Sequence, residues 1–167
     1  CQYDNSASEA PCGEPYWTNK RFSEEVIASM NEALNVIKER ARVSEFHLVG
    51  YSGGAAVAML GAARRQDVST IRTIAGNLDP EAVNKRHGVD PLKGSLNPMD
   101  VAAKVAAIPQ RHFVGGKDKL ITPDIADNFK KAAGGNCSQI TPVDEASHHE
   151  GWEDRWELLL KLPVSCS

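Results

Sequence analysis

The sequence predicts an α/β fold: a mostly parallel sheet with flanking helices. Two observations carry that expectation. Strand-like and helix-like stretches alternate from about residue 23 onward, the pattern of parallel strands joined by helical crossovers. One strand-to-helix joint reads Gly50-Tyr51-Ser52-Gly53-Gly54, a G-x-S-x-G match with apolar Phe46–Val49 before it and apolar Ala55–Leu60 after it. That setting is what the motif needs, because the serine must ride a sharp turn out of a sheet. The length of 167 residues fits one domain over residues 1–167, and an apolar share of 41% suffices for a core.

The elements follow in order. Residues 1–22 carry Pro11, Gly13 and Pro15 without periodicity and read as loop. Ser23 followed by Glu24-Glu25 reads as an N-cap and an acidic first turn, and Val26, Ile27, Met30, Leu34 and Ile37 recur at helical spacing, so 23–41 is a helix. A strand at 46–51, the turn and a helix at 53–65 come next. Ile71–Ala75 reads as a second strand. Pro80, Gly88, Pro91, Gly94 and Pro98 interrupt 77–108, leaving short helical pieces at 80–86 and 99–107. A third strand at 110–114 stops at Gly115-Gly116. A helix at 123–133 opens beside Pro123, where proline suits a first turn. A fourth strand spans 138–143. A closing helix spans 150–161, with Trp152, Trp156, Leu159 and Leu160 along one side.

Composition narrows the partners. The net charge is −3 with no basic stripe, which argues against nucleic acid. No apolar run approaches the ~20 residues that span a bilayer. The four cysteines, at 1, 12, 137 and 166, form no C-x-x-C pair, and no histidine accompanies them at zinc spacing. They read as the bridges Cys1–Cys12 and Cys137–Cys166 in an oxidising compartment, periplasmic or secreted; four separate thiols in a cytosolic protein are the alternative.

In a parallel sheet, ligands sit beyond the carboxyl ends of the strands. Ser52 follows the first strand, Asp118 follows the third and His148 follows the fourth. These groups suit nucleophilic catalysis. Serine attacks when a histidine takes its proton, and a carboxylate fixes the tautomer of that histidine. Each residue also has a plainer reading. The glycine-rich turn could bind phosphate, Asp118 could close a turn, and His148, His149 and Glu150 could hold a metal. Adjacent histidines rarely aim both rings at one ion, so no metal or cofactor is expected. Gly50, Gly53 and Gly54 supply the small side chains that the turn requires.

Three segments together resemble α/β-hydrolases: the G-Y-S-G-G turn, Gly115-Gly116-Lys117-Asp118-Lys119-Leu120-Ile121-Thr122-Pro123 as the acid loop, and Ala146-Ser147-His148 as the histidine loop. The resemblance runs from about residue 23 to the end. It implies Ser52 as nucleophile, Asp118 as acid and His148 as base, with His149 the alternative, and the Gly53 amide as one oxyanion donor. It implies a serine esterase acting on a small-molecule ester without a cofactor; an acyltransferase, a peptidase or a non-catalytic binding protein shares the same scaffold. The family's sheet has further strands ahead of the elbow and a loop with a second oxyanion donor, and neither has a counterpart here. The chain also opens on Cys1 rather than methionine. The expectation is therefore a C-terminal fragment, partnered by an N-terminal segment of the same protein. Residues 77–108 occupy the place of a lid, with few apolar residues, which points to a small or polar ester. Tyr51 and Trp152 either flank the pocket or pack in the core.

Overall fold

The computed structural model describes residues 13–166. The expected Cys1–Cys12 bridge lies outside them. Four strands, β1 (Phe46–Tyr51), β2 (Val68–Ile74), β3 (Gln110–Gly115) and β4 (Ser138–Val143), pair in the order β1-β2-β3-β4. All three pairings are parallel. The helices are α1 (Glu24–Ala41), α2 (Gly53–Ala62), α3 (Pro80–His87), α4 (Asp124–Ala133) and α5 (Trp156–Lys161). The α/β architecture with a parallel sheet is thus the one the alternation predicted.

Side chains along a strand alternate between the two faces of the sheet, and each face has its own cluster. Ile71 packs with Met59 of α2 and with Ile125 and Phe129 of α4. Ile74, Phe113 and Val143 pack with Trp152 and Leu159. A third cluster joins Phe22 and Ile27 to Ala56 and Leu60 of α2. Residues 77–108 are no surface appendage. Leu78, Val83, Ala102 and Val105 are buried in the first cluster, and Asp79 caps α3 by accepting from the Ala82 N–H at 3.1 Å.

Three expectations need correction. Ser23 stands at the head of α1, but its hydroxyl makes no capping bond. The apolar stripe of α1 is only partly covered: Ile27 is buried against α2 while Met30 and Ile37 are about half exposed (47% and 50%) among the described residues. β1 has no strand on its far side among the described residues. The helix expected from 150 begins only at Trp156. Gly151, at φ 85°, breaks any earlier start, and Ser147–Glu150 form a turn in which the Ser147 N–H donates to the Glu150 carbonyl.

The C-terminal tail crosses the α5 face of the sheet. Arg72 donates to the Leu160 and Leu162 carbonyls, Arg111 to the Pro163 carbonyl, and Gln139 to the Ser165 carbonyl. A Cys137–Cys166 disulfide closes the strap over 29 residues. In a chain-entropy model a loop of that length contributes about 3–4 kcal/mol.

Across the opposite face runs a buried polar ladder. The His112 ring sits in β3 with Nδ1 2.8 Å from Thr73 Oγ1 of β2 and Nε2 3.1 Å from Ser138 Oγ of β4. A neutral imidazole, one donor and one acceptor, suits two hydroxyls that can each give or take a proton. Burial, with Lys130 nearby, pushes the His112 pKa down to about 4 from 6.5. Above pH 6.5 the ring is neutral in folded and unfolded chains alike. Below it the unfolded ring binds a proton that the folded ring refuses until about pH 4, so stability falls across that window by up to ~1.4 kcal/mol per pH unit. Chemical denaturation between pH 7 and 4 should show this loss, and His112→Gln should flatten it; an unchanged slope in the variant would contradict the ladder's role.

Candidate active site

The register brings the strand ends level. Tyr51 pairs with Ile74, Ile74 with Phe113, and Gly115 with Val143. The loops that follow β1, β3 and β4 therefore leave the sheet side by side.

Ser52 sits between β1 and α2 with φ 50° and ψ −120°, a conformation that side-chain-bearing residues rarely hold and that costs of order 1–3 kcal/mol. Its N–H donates to the Ile74 carbonyl and its carbonyl accepts from the Asn77 N–H, both at 2.9 Å. β2 thus clamps the turn from the side. A Cβ at Gly50 would stand 2.5 Å from the Gly54 carbonyl oxygen and 2.6 Å from Ala55 Cα, so α2 can fold back over β1 only at glycine. The other two glycines differ from expectation. A Cβ at Gly53 would come 3.3 Å from the Phe22 ring, and one at Gly54 meets nothing within 4 Å.

The three separated residues converge. Ser52 Oγ lies 3.0 Å from His148 Nε2, and His148 Nδ1 lies 2.9 Å from Asp118 Oδ2. A carboxylate only accepts, so Nδ1 carries the proton of that bond and Nε2 is left as the acceptor for the serine hydroxyl. The other Asp118 oxygen accepts from the Leu120 and Ile121 N–H groups, each at 2.8 Å. The Asp118 side chain is fully buried and that of His148 nearly so. His149 is exposed, its ring edge-on to His148 at 4.7 Å, and makes neither contact. Gly53 and Gly54 open α2, where first-turn N–H groups have no intrahelical partner, and both residues line the cleft beside Ser52.

Two aromatic side chains anchor the histidine loop. The Tyr51 hydroxyl donates to the His148 carbonyl at 2.7 Å and stands 3.2 Å from His149 Nδ1. Burial, then the charge of Asp118, raises its pKa, so the phenol keeps its proton. Trp152 Nε1 donates to the Ser147 carbonyl at 2.9 Å and to the His148 carbonyl at 3.3 Å. Trp152 is buried and does not line the cleft, whereas Tyr51 does both jobs. The acid and histidine loops also press together: a Cβ at Gly115 would lie 2.6 Å from the Ala146 oxygen, and one at Gly116 would lie 2.6 Å from the Asp144 oxygen. Lys117 and Glu145 pair across the two loops.

Ser52 opens onto a cleft of about 630 Å³. Tyr16, Trp17 and Phe22 line it, together with Val83 and Asn84 of α3 and Leu120 of the acid loop. The 13–22 segment, read from sequence as plain loop, is thus part of the wall. Asn77 lines it as well, and its Oδ1 is shielded with no hydrogen-bond partner. Neither was legible beforehand: the segment has no periodicity, and a single asparagine after a strand carries no signal. Among the described residues no three His, Cys, Asp or Glu side chains are grouped to hold a metal, and no helix is long and apolar enough to cross a membrane.

Solved structures share this architecture. An esterase of Pyrococcus furiosus superposes with a TM-score of 0.69 at 14% identity, over 92% of this chain and 65% of its own. A hydrolase from the metagenome of lagoon sediments at Mar Chica, Morocco, gives 0.63 at 17% identity, over 81% and 68%. A Bacillus anthracis α/β fold hydrolase gives 0.57 at 12% identity, over 73% and 67%. The fold is that of the α/β hydrolases. In a second structure of the Pyrococcus esterase the matched part is 59% of that chain, so this chain spans about three fifths of the length of that esterase. No family model matches the sequence, and no curated protein sequence does.

The glycines of the α/β-hydrolase turn can be separated by substitution. Gly50→Ala forces a Cβ into backbone and should cost at least about 3 kcal/mol in thermal or chemical denaturation. Gly54→Ala enters open space in a first helical turn and should be neutral or stabilising by up to about 1 kcal/mol. Equal effects would contradict the geometry of the turn.

Proposed function

We propose that the protein is a serine hydrolase that cleaves a carboxylic ester through an acyl-enzyme. The observation that carries this reading is the unbroken relay from Ser52 Oγ through both nitrogens of His148 to a buried Asp118, opening onto a cleft. The esterases among the α/β-hydrolase neighbours agree with it.

In this mechanism His148 Nε2 takes the Ser52 proton as Oγ attacks the ester carbonyl carbon. Asp118 stabilises the imidazolium and keeps the ring in register. The carbonyl oxygen becomes an oxyanion, to which the Gly53 N–H donates; one such donor is worth about 3–4 kcal/mol of barrier. The intermediate collapses, and the alkoxide leaves with the proton from His148. Water then gives His148 a proton as it attacks the acyl-enzyme, and Ser52 takes that proton back as the acid departs. No step requires a cofactor. The Cys137–Cys166 bridge supports an oxidising location, periplasmic or secreted.

Two variants test the assignment. Ser52→Ala should abolish p-nitrophenyl acetate turnover and fluorophosphonate labelling; a labelled Ser52→Ala protein would remove Ser52 as the nucleophile. Tyr51→Phe keeps the ring but deletes the bond to the histidine loop, worth about 1 kcal/mol. It should lower kcat roughly fivefold with KM within a factor of two. A change in KM alone would make Tyr51 a cleft wall and nothing more.

A further inference from the structure

We propose that the cleft beside Ser52 selects esters that carry a planar aromatic group. This rests on the hydrolase reading for its chemistry and on the cleft itself for its selectivity.

Large apolar side chains are uncovered at the mouth of this cleft. Trp17 is 40% exposed, Val89 56% and Leu120 42%, and all three line the same space. Apolar surface gathered at a concave site marks ligand contact more often than scattered surface residues do. The lining also has an uneven chemistry. The rings of Tyr16, Trp17 and Phe22 come from one short segment, and the branched side chains of Val83, Val89 and Leu120 come from α3, the turn after it and the acid loop. A flat ring offers its faces to both kinds of surface. Aromatic pairs gain from offset or edge-to-face contact beyond burial alone, and a saturated chain does not.

Both walls are braced. The Phe22 N–H donates to Ser95 Oγ and the Phe22 carbonyl accepts from the Leu96 N–H; Ser95 Oγ in turn donates to the Asn19 carbonyl. On the other side His87 Nε2 lies 2.9 Å from the Leu120 carbonyl, and Arg86 grips Asp124 with two bonds. The backbone of Phe22 and that of Leu120 are therefore held by hydrogen bonds before a ligand arrives, and a preorganised site loses less on binding. Phe22 also touches the Gly53 position (3.3 Å), so a ring held against this wall lies next to the amide assigned to the oxyanion.

The test measures binding apart from turnover. Ser52→Ala protein is titrated calorimetrically with methyl 3-phenylpropanoate and with methyl 3-cyclohexylpropanoate, which share a carbon skeleton and differ in planarity and π-character. The phenyl ester should bind about fivefold tighter. Adding Trp17→Leu should bring the ratio to about one, and adding Trp17→Phe should keep most of it, so a folding defect in the first cannot decide the outcome. Equal binding of the two esters, tighter binding of the cyclohexyl ester, or a ratio that survives Trp17→Leu would overturn the proposal. Native protein assayed with p-nitrophenyl acetate separates the two readings. Turnover without ring preference keeps the hydrolase and removes the aromatic selectivity; ring preference without turnover does the reverse.

Discussion

The backbone of Ser52, at φ 50° and ψ −120°, is the constraint on which the rest depends. A strained serine persists only where its surroundings hold it. Here the end of β2 takes the N–H of Ser52, Asn77 just beyond it donates to the Ser52 carbonyl, and Gly50 lets α2 close over β1 at a distance that no side chain allows. The strain places Oγ above the sheet and the first amides of α2 beneath the space it faces. Without the turn, the hydroxyl would project from a face of the sheet, away from His148 and the cleft at the strand ends.

The partner groups are held by a different device. Their loops are long enough to wander, yet each is tied at several points. Asp118 is gripped by two N–H groups of its own loop. His148 is gripped through its carbonyl by Tyr51 and Trp152. The acid and histidine loops meet at Gly115 and Gly116 with no room for a side chain. Tyr51 ties Ser52 and His148 together, since it precedes Ser52 in the chain and bonds the carbonyl of the residue that faces Ser52. One hydroxyl thereby couples two strand ends.

Much of this was legible in the sequence, and the reason is local. The turn, the glycine-ended β3 and the spacing of Asp118 and His148 beyond their strands each follow from chain-local rules, so all four strands and the positions of Ser52, Asp118 and His148 at their ends could be read from the chain. His148 was distinguished from His149, which lies exposed beside it. What escaped depends on contacts between distant segments. The 13–22 wall is held by Ser95 and Leu96, more than seventy residues away. The partial exposure of α1 depends on what packs against it, here α2, which its own periodicity cannot report. The late start of α5 reflects the turn at Ser147 and Gly151, where the histidine loop's geometry overrides an apolar helical pattern.

The 77–108 segment shows the same division. Its prolines and glycines pointed to an interrupted, lid-like stretch, yet Leu78, Val83, Ala102 and Val105 are core, while Val83, Asn84 and Val89 face the cleft. One segment thus sets both the stability of the sheet's flank and the shape of the site. A crystal structure of the protein after reaction with a diethyl p-nitrophenyl phosphate probe decides whether the turn, the relay and the Gly53 amide act as the one catalytic unit proposed above. Phosphorus should be bonded to Ser52 Oγ, with a phosphoryl oxygen within hydrogen-bond reach of the Gly53 N–H and His148 still paired with Asp118. An unmodified Ser52, or a phosphoryl oxygen turned away from Gly53 into solvent, would contradict it.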